Sequence, residues 1–238
     1  MDLRDEHAVL DRLLGGLDAS QWSTQTPAAG WTIADQVRHL ATSERAAAVA
    51  LEGHGAELFR GERRIEPIDV EDAAGLLDAW RDAREATLAA LASRDDRSRV
   101  TWGAGPMSAR SFAEARLMET WAHGLDCFAA TGIEPVDTPR LRRIAGLALR
   151  ALPYAFEVSG KVAPPDVRGV ALDLTGPDGE RWWIGPERGR DIIAGSASEW
   201  CRVATRRVRP EATSLEVTTP LAAEALKVAR AYLADSTS

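Results

Sequence analysis

The chain has 238 residues, 36 Asp+Glu against 29 Lys+Arg and a formal net charge of -7. That length buries a core without cross-links, and two Cys form no disulfide framework, so a reducing compartment is the default. The acidic balance excludes a general nucleic-acid binder, no apolar run approaches the roughly 20 residues of a membrane span, and the charged start lacks a signal-peptide core, so the expectation is a cytoplasmic protein with no membrane partner.

The first part of the chain reads as helical. Leu3, Val9, Leu10, Leu13, Leu14 and Leu17 form one apolar stripe after Asp2. A Ser/Thr/Pro-rich loop, 20–30, follows. Thr32 with Asp35 is a capping pair that opens a second helix from Ile33 to about Leu51, ending near Gly53-His54-Gly55. A third helix is expected from about Val70 to Ala92. Residues 94–105 read as a polar connection. A fourth helix starts near Ser108 or Ser111, where Ser111 and Glu114 match a capping box, and runs to Gly132 as its C-terminal glycine. A fifth is expected from about Pro139 to Ala155. Long helices with modest connections predict an antiparallel four-helix bundle over 1–157.

The pattern changes after Gly160. Val167–Leu174 reads as a strand, 175–179 as a turn and Arg181–Ile184 as a returning strand. Ser196 with Glu199 predicts another capped helix, Ser214–Thr218 a strand, and Pro220 the first position of a terminal helix. The region 158–238 is therefore expected to be a smaller α+β domain.

The densest chemical grouping lies on the fourth helix. Glu119 and His123 are four residues apart and share a face; Asp126 extends that stripe by three. A carboxylate and an imidazole at this spacing suit one metal ion, and they equally suit an ordinary ion pair. Trp121, Leu125 and Phe128 make the helix apolar on more than one side, so polar groups there need partners. Cys127 is also four residues from His123, yet a single Cys in an apolar helix behaves as a small hydrophobe, and it is left out of the ligand set, as is Cys201. His39 lies on the second helix beside Leu40; His7 and His54 receive no role. In the C-terminal region Arg202, Arg206, Arg207 and Arg209 follow Trp200, and Arg206 is the candidate fork for a substrate carboxylate against the alternative of a solvated basic face.

The run Gly30-Trp31-Thr32-Ile33-Ala34-Asp35-Gln36-Val37-Arg38-His39-Leu40, with Leu17–Trp22 before it and Glu119, His123 and Asp126 after it, resembles the signatures of the DinB-like, mycothiol-dependent maleylpyruvate isomerase family. The resemblance implies a metal-binding helical bundle followed by a sterol-carrier-like α+β domain. It implies His39, Glu119 and His123 as ligands of a divalent metal, with zinc as the first choice among several ions that accept such a set. Three ligands leave one position open, as in catalytic zinc sites. Asp126 is then either a group that orients a ligand or a surface carboxylate.

The resemblance further implies mycothiol as a co-substrate acting on a small unsaturated or electrophilic molecule, by isomerisation or by S-transfer. An Arg-rich, Lys-poor composition, with Lys161 and Lys227 the two lysines, fits an actinobacterial, mycothiol-using source. The reading from a different class is a non-enzymatic module that binds a metal or an apolar ligand.

Overall fold

The computed structural model describes residues 2–102 and 105–231. Two compact units divide between Pro135 and Val136. In the first, α1 (Asp2–Gly15), α2 (Ile33–Val49), α4 (Ala73–Ala92) and α5 (Ala109–Thr131) form the four-helix bundle, with the short α3 (Gly55–Phe59) between α2 and α4. Helix α2 packs on both α4 and α5, and α1 packs on α5 and α4. The core includes Leu10, Leu14, Ile33, Val37, Leu40, Leu76 and Trp80, all at or near complete burial. These positions recur at three- and four-residue intervals, so each helix turns one apolar stripe inward.

Local chemistry sets the helix ends. Thr32 accepts a hydrogen bond from the Asp35 amide, and the Asp35 carboxylate accepts from the Thr32 amide, so the expected capping box is present. Asp72 caps α4 through the Gly75 amide. Helix α5 is capped by Ser108, which accepts from the Ser111 amide; Ser111 is already inside the helix. That helix ends at Gly132, whose φ of 68° suits a residue without a Cβ.

The expected polar connection at 94–105 contains part of a hairpin instead. Strands β1 (Arg99–Trp102) and β2 (Gly105–Ser108) pair antiparallel. Gly105 and Pro106 suppress the strand signal in the sequence, and a two-stranded edge tolerates both. The hairpin passes close to α3, since a Cβ on Gly55 would stand 1.9 Å from the Thr101 carbonyl oxygen.

In the second unit the expected fifth helix is two: α6 (Leu141–Arg150) and α7 (Leu152–Val158), with Pro153 in the first turn of α7. Pro153 has no amide to continue the α6 ladder. Helix α6 packs on α8 (Ala197–Ala204), not within the bundle. Trp200 donates its indole N–H to the Ala145 carbonyl, and the Cys201 thiol meets the Leu141 carbonyl.

The sheet has the order β4–β3–β5–β6, built from β3 (Ala171–Thr175), β4 (Arg181–Ile184), β5 (Ile192–Ser196) and β6 (Glu216–Val217). The predicted hairpin and its turn are β3 and β4, while Val167–Gly169 is a short 3-10 turn that precedes the strand. Strand β5, parallel to β3, has no alternating pattern in sequence. Ser196 stands at the start of α8 without a side-chain cap; Glu199 instead accepts from Ser214. Thr219 caps the terminal helix α9 (Pro220–Val228), with Pro220 in its first turn. The helix ends at Val228, where Ala229 turns to φ -45° and ψ 126°, short of the expected end near Leu233, and residues 229–231 are not helical; 232 and 233 lie outside the described residues. No helix among the described residues is long and apolar enough to cross a membrane.

Candidate metal centre

The centre of α5 is buried on every side. Residues 120–127 are all buried, so this helix runs through the bundle and does not lie on its surface. A carboxylate or imidazole placed here loses water and needs a replacement partner. Glu119 and His123 meet His39 of α2 at this level. One ligand atom from each lies within 4.8 Å of the others. The Glu119 Oε2 atom is 3.3 Å from His123 Nε2 and 3.7 Å from His39 Nε2. Two ligands about 2.0–2.1 Å from a tetrahedral zinc ion stand roughly 3.3 Å apart, so the two contacts of Glu119 have the spacing of donors to one divalent ion. The side chains are 37% exposed at His39, 21% at Glu119 and 7% at His123, so the cluster is closed on the His123 side and open at His39.

Burial pushes the Glu119 carboxyl upward. The hydrogen bonds from His123 and His39, and the positive charges of His123 and Arg116, outweigh this and hold it well below the ordinary carboxylate range. The carboxylate is therefore kept as an anion, the form that binds metal.

The segment between Thr24 and Ile33 fixes the rest of the site. Ile33 donates its amide to Thr24, Thr26 donates its amide to Trp31, and Gly30 takes a φ of 79°. This tight loop holds the Trp31 ring against both histidines: 5.9 Å from His123 at an interplanar angle of 17°, and 5.3 Å from His39. The two imidazole centroids are 4.4 Å apart. On the far edge of His123, Nδ1 is 2.5 Å from Gln36 Oε1. The Gln36 amide nitrogen is 2.9 Å from Thr26 Oγ1, and the Thr26 hydroxyl donates to the Trp31 carbonyl at 2.8 Å.

The structure thus brings His39, Glu119 and His123 together. Asp126 lies one turn beyond His123, only 3% exposed, and the partner seen on His123 Nδ1 is Gln36. Cys127 sits in the apolar core with Leu10, Leu40 and Trp80, and burial followed by the nearby Asp126 charge pushes its thiol up, away from the thiolate. Arg206 is in the second unit, exposed, with a left-handed φ of 63° just after α8. Arg202 of the same group is paired with Asp137 at 2.9 Å. Gln36, Thr26 and Trp31 were not singled out by spacing. Trp31 and Gln36 stand inside the run that carries the family resemblance, and that was the available signal.

Comparisons with known proteins bear on the family and the fold. Residues 3–128 match the family model of the mycothiol maleylpyruvate isomerase N-terminal domain. Two uncharacterized proteins of Mycobacterium tuberculosis, from two strains, are each 40% identical over 217 residues, covering 87% of this chain and 84% of theirs. Two crystal structures share the fold: a mutant of the mycothiol-dependent maleylpyruvate isomerase, with a TM-score of 0.58 and 17% identity, and the mycothiol-dependent maleylpyruvate isomerase, with 0.51 and 20%. Each alignment covers 87% of both chains. The chain belongs to the mycothiol maleylpyruvate isomerase N-terminal domain family.

Proposed function

We propose that this protein holds one divalent metal ion through His39, Glu119 and His123 and uses it to activate a low-molecular-weight thiol. The observation that carries this reading is the convergence of two imidazoles and one anionic carboxylate within 4.8 Å, with His39 on the open side. Three protein donors leave a coordination position for a small molecule, as in catalytic zinc sites, and zinc is the proposed ion. When bound, the ion lowers the pKa of a thiol and so supplies the nucleophilic thiolate.

The chain's own residues do the remainder. Trp31 shields the two imidazoles on one side. Arg116 and the two histidines keep Glu119 ionised. Asp126 is proposed to support the site electrostatically from the next turn of α5, and Arg206 to receive the carboxylate of a substrate. The co-substrate proposed is mycothiol, by membership of a family whose name carries it. The reaction class is isomerisation or S-transfer on a small unsaturated or electrophilic molecule.

The test is turnover of unsaturated acids and electrophiles by zinc-loaded protein, with and without mycothiol. Thiol-dependent turnover that disappears in His123→Ala is the expected result. Full zinc occupancy with no thiol-dependent reaction on any such substrate contradicts an enzymatic role and favours a binding module.

A further inference from the structure

We infer that Thr26 and Gln36 are positioning residues that fix His123 as an Nδ1–H donor, so that Nε2, which faces Glu119 and His39, is the nitrogen that gives up its proton to a bound ion. The use of that nitrogen rests on the metal reading above; the hydrogen-bond assignment does not.

Proton counting along one chain of contacts fixes the roles of each group. A side-chain amide has two orientations, and each imposes the opposite role on the imidazole it faces. If the Gln36 nitrogen faced His123, Nδ1 would have to accept, and the ring's one proton would sit on Nε2, the nitrogen a metal needs. The Thr26 hydroxyl decides between the two. It has a single proton, and its oxygen lies 2.8 Å from the Trp31 carbonyl, which can only accept. That proton is committed there. The Thr26 oxygen can then only accept from Gln36, at 2.9 Å. The amide nitrogen therefore faces Thr26, the amide oxygen faces His123, and the 2.5 Å contact is closed by the Nδ1 proton.

Burial makes the arrangement firm. Gln36 is 0% exposed and Thr26 9%, so no solvent competes for these bonds. The Trp31 carbonyl is itself fixed, because it also accepts the Thr26 amide and closes the 26–31 loop. One residue thus serves twice: its carbonyl anchors the relay and its ring lies over the imidazole that the relay orients. Partners of this kind, on the nitrogen that does not bind metal, fix both tautomer and ring direction.

The test compares wild type with Gln36→Leu, Gln36→Glu and Thr26→Val. Zinc affinity is measured by competition titration, and the His123 Nδ1–H resonance by NMR on protein with nitrogen-15-labelled histidine, with and without zinc. Gln36→Leu is expected to weaken zinc binding about 10–100-fold and to lose the protected Nδ1–H signal. Gln36→Glu keeps the Nδ1–H signal, because a carboxylate accepts the same proton, but it loses the donor to Thr26, so its zinc affinity is expected between those of wild type and Gln36→Leu. Thr26→Val weakens binding by less, since the amide loses its anchor and not its acceptor.

Unchanged zinc affinity in Gln36→Leu, or Gln36→Glu as weak as Gln36→Leu, overturns the inference and reduces Gln36 to a space-filling role. Should Gln36→Leu not fold, unchanged affinity in Thr26→Val overturns it equally. A wild type that takes up no zinc yet shows the protected Nδ1–H contradicts the metal reading and upholds the hydrogen-bond assignment. Absence of that signal from wild type overturns the assignment itself.

Discussion

Two polar clusters cross the α2–α5 interface of the bundle, and they solve the cost of buried charge in opposite ways. In one, Glu44 of α2 meets Arg116 of α5 at 3.1 Å, with His7 of α1 at 3.6 Å. Their side chains are 0%, 2% and 2% exposed. In the other, His39 stands five residues before Glu44, and Glu119 three residues after Arg116. The first cluster contains its own cation: Arg116 donates two hydrogen bonds to Glu44. Burial pushes the Glu44 carboxyl up, and Arg116 and His7 more than compensate. The second cluster offers two imidazoles and a carboxylate with an open edge. A sealed, internally neutralised pair holds helices together; an open set of donors converging on one point is suited to an external cation. Buried polarity alone therefore does not mark a site, and the form of its compensation does.

The largest effect separates the clusters by stability. Arg116→Met leaves Glu44 buried without its guanidinium partner, with the more distant His7 beside it, and is expected to cost about 3–5 kcal/mol in denaturant unfolding. His39→Ala, at an exposed edge, should change the stability of metal-free protein by less than about 0.5 kcal/mol. Equal costs would erase the distinction.

Ligand binding sharpens the same contrast. Zinc at about one hundred times its dissociation constant should stabilise wild type by roughly 2.7 kcal/mol. His39→Ala and His123→Ala should lose this gain and the bound ion, as read by thermal unfolding and metal analysis. Retention of one ion per chain in both would contradict the ligand assignment.

Acid unfolding should report on both carboxylates of the metal-free protein. Each has a folded-state pKa below its ordinary value of 4.5. The stability they contribute is therefore full above that value and is lost as pH falls through the depressed folded values, with a slope of up to about 1.4 kcal/mol per pH unit for each proton. Glu119→Gln should make the acid limb shallower. An unchanged limb would mean that Glu119 is not held ionised by its neighbours.

The smallest effect concerns the entry to α2. Thr32→Ala removes one half of the capping box and should cost about 1 kcal/mol, measured by denaturant midpoint. The expected zinc affinity is nearly unchanged, because Gln36 and His39 lie beyond the first turn. A large loss of zinc binding would place the cap inside the metal machinery.

The long helices were legible because their apolar residues recur with helical period, and the Thr32–Asp35 and Gly132 ends because single side chains or backbone angles determine them. The split of the fifth helix and its packing on α8 were not, since the stripe Leu141, Ile144, Ala145 and Ala148 fits a bundle or a neighbour equally well. At the metal centre, spacing found Glu119 and His123, and His39 entered by resemblance. Gln36 escaped because its contact with His123 joins residues 87 apart in the chain. The role of Arg116 was also hidden, because a helical Arg reads as surface until Glu44 is seen opposite it.

A crystal structure of the zinc-loaded protein, with anomalous scattering at the zinc edge, decides whether the three side chains hold one ion. One peak per chain is expected, about 2.0–2.2 Å from His39 Nε2, a Glu119 carboxylate oxygen and His123 Nε2, with a fourth position held by solvent or a thiol. No peak at that point, or a zinc ion closed by a fourth protein side chain, would contradict it.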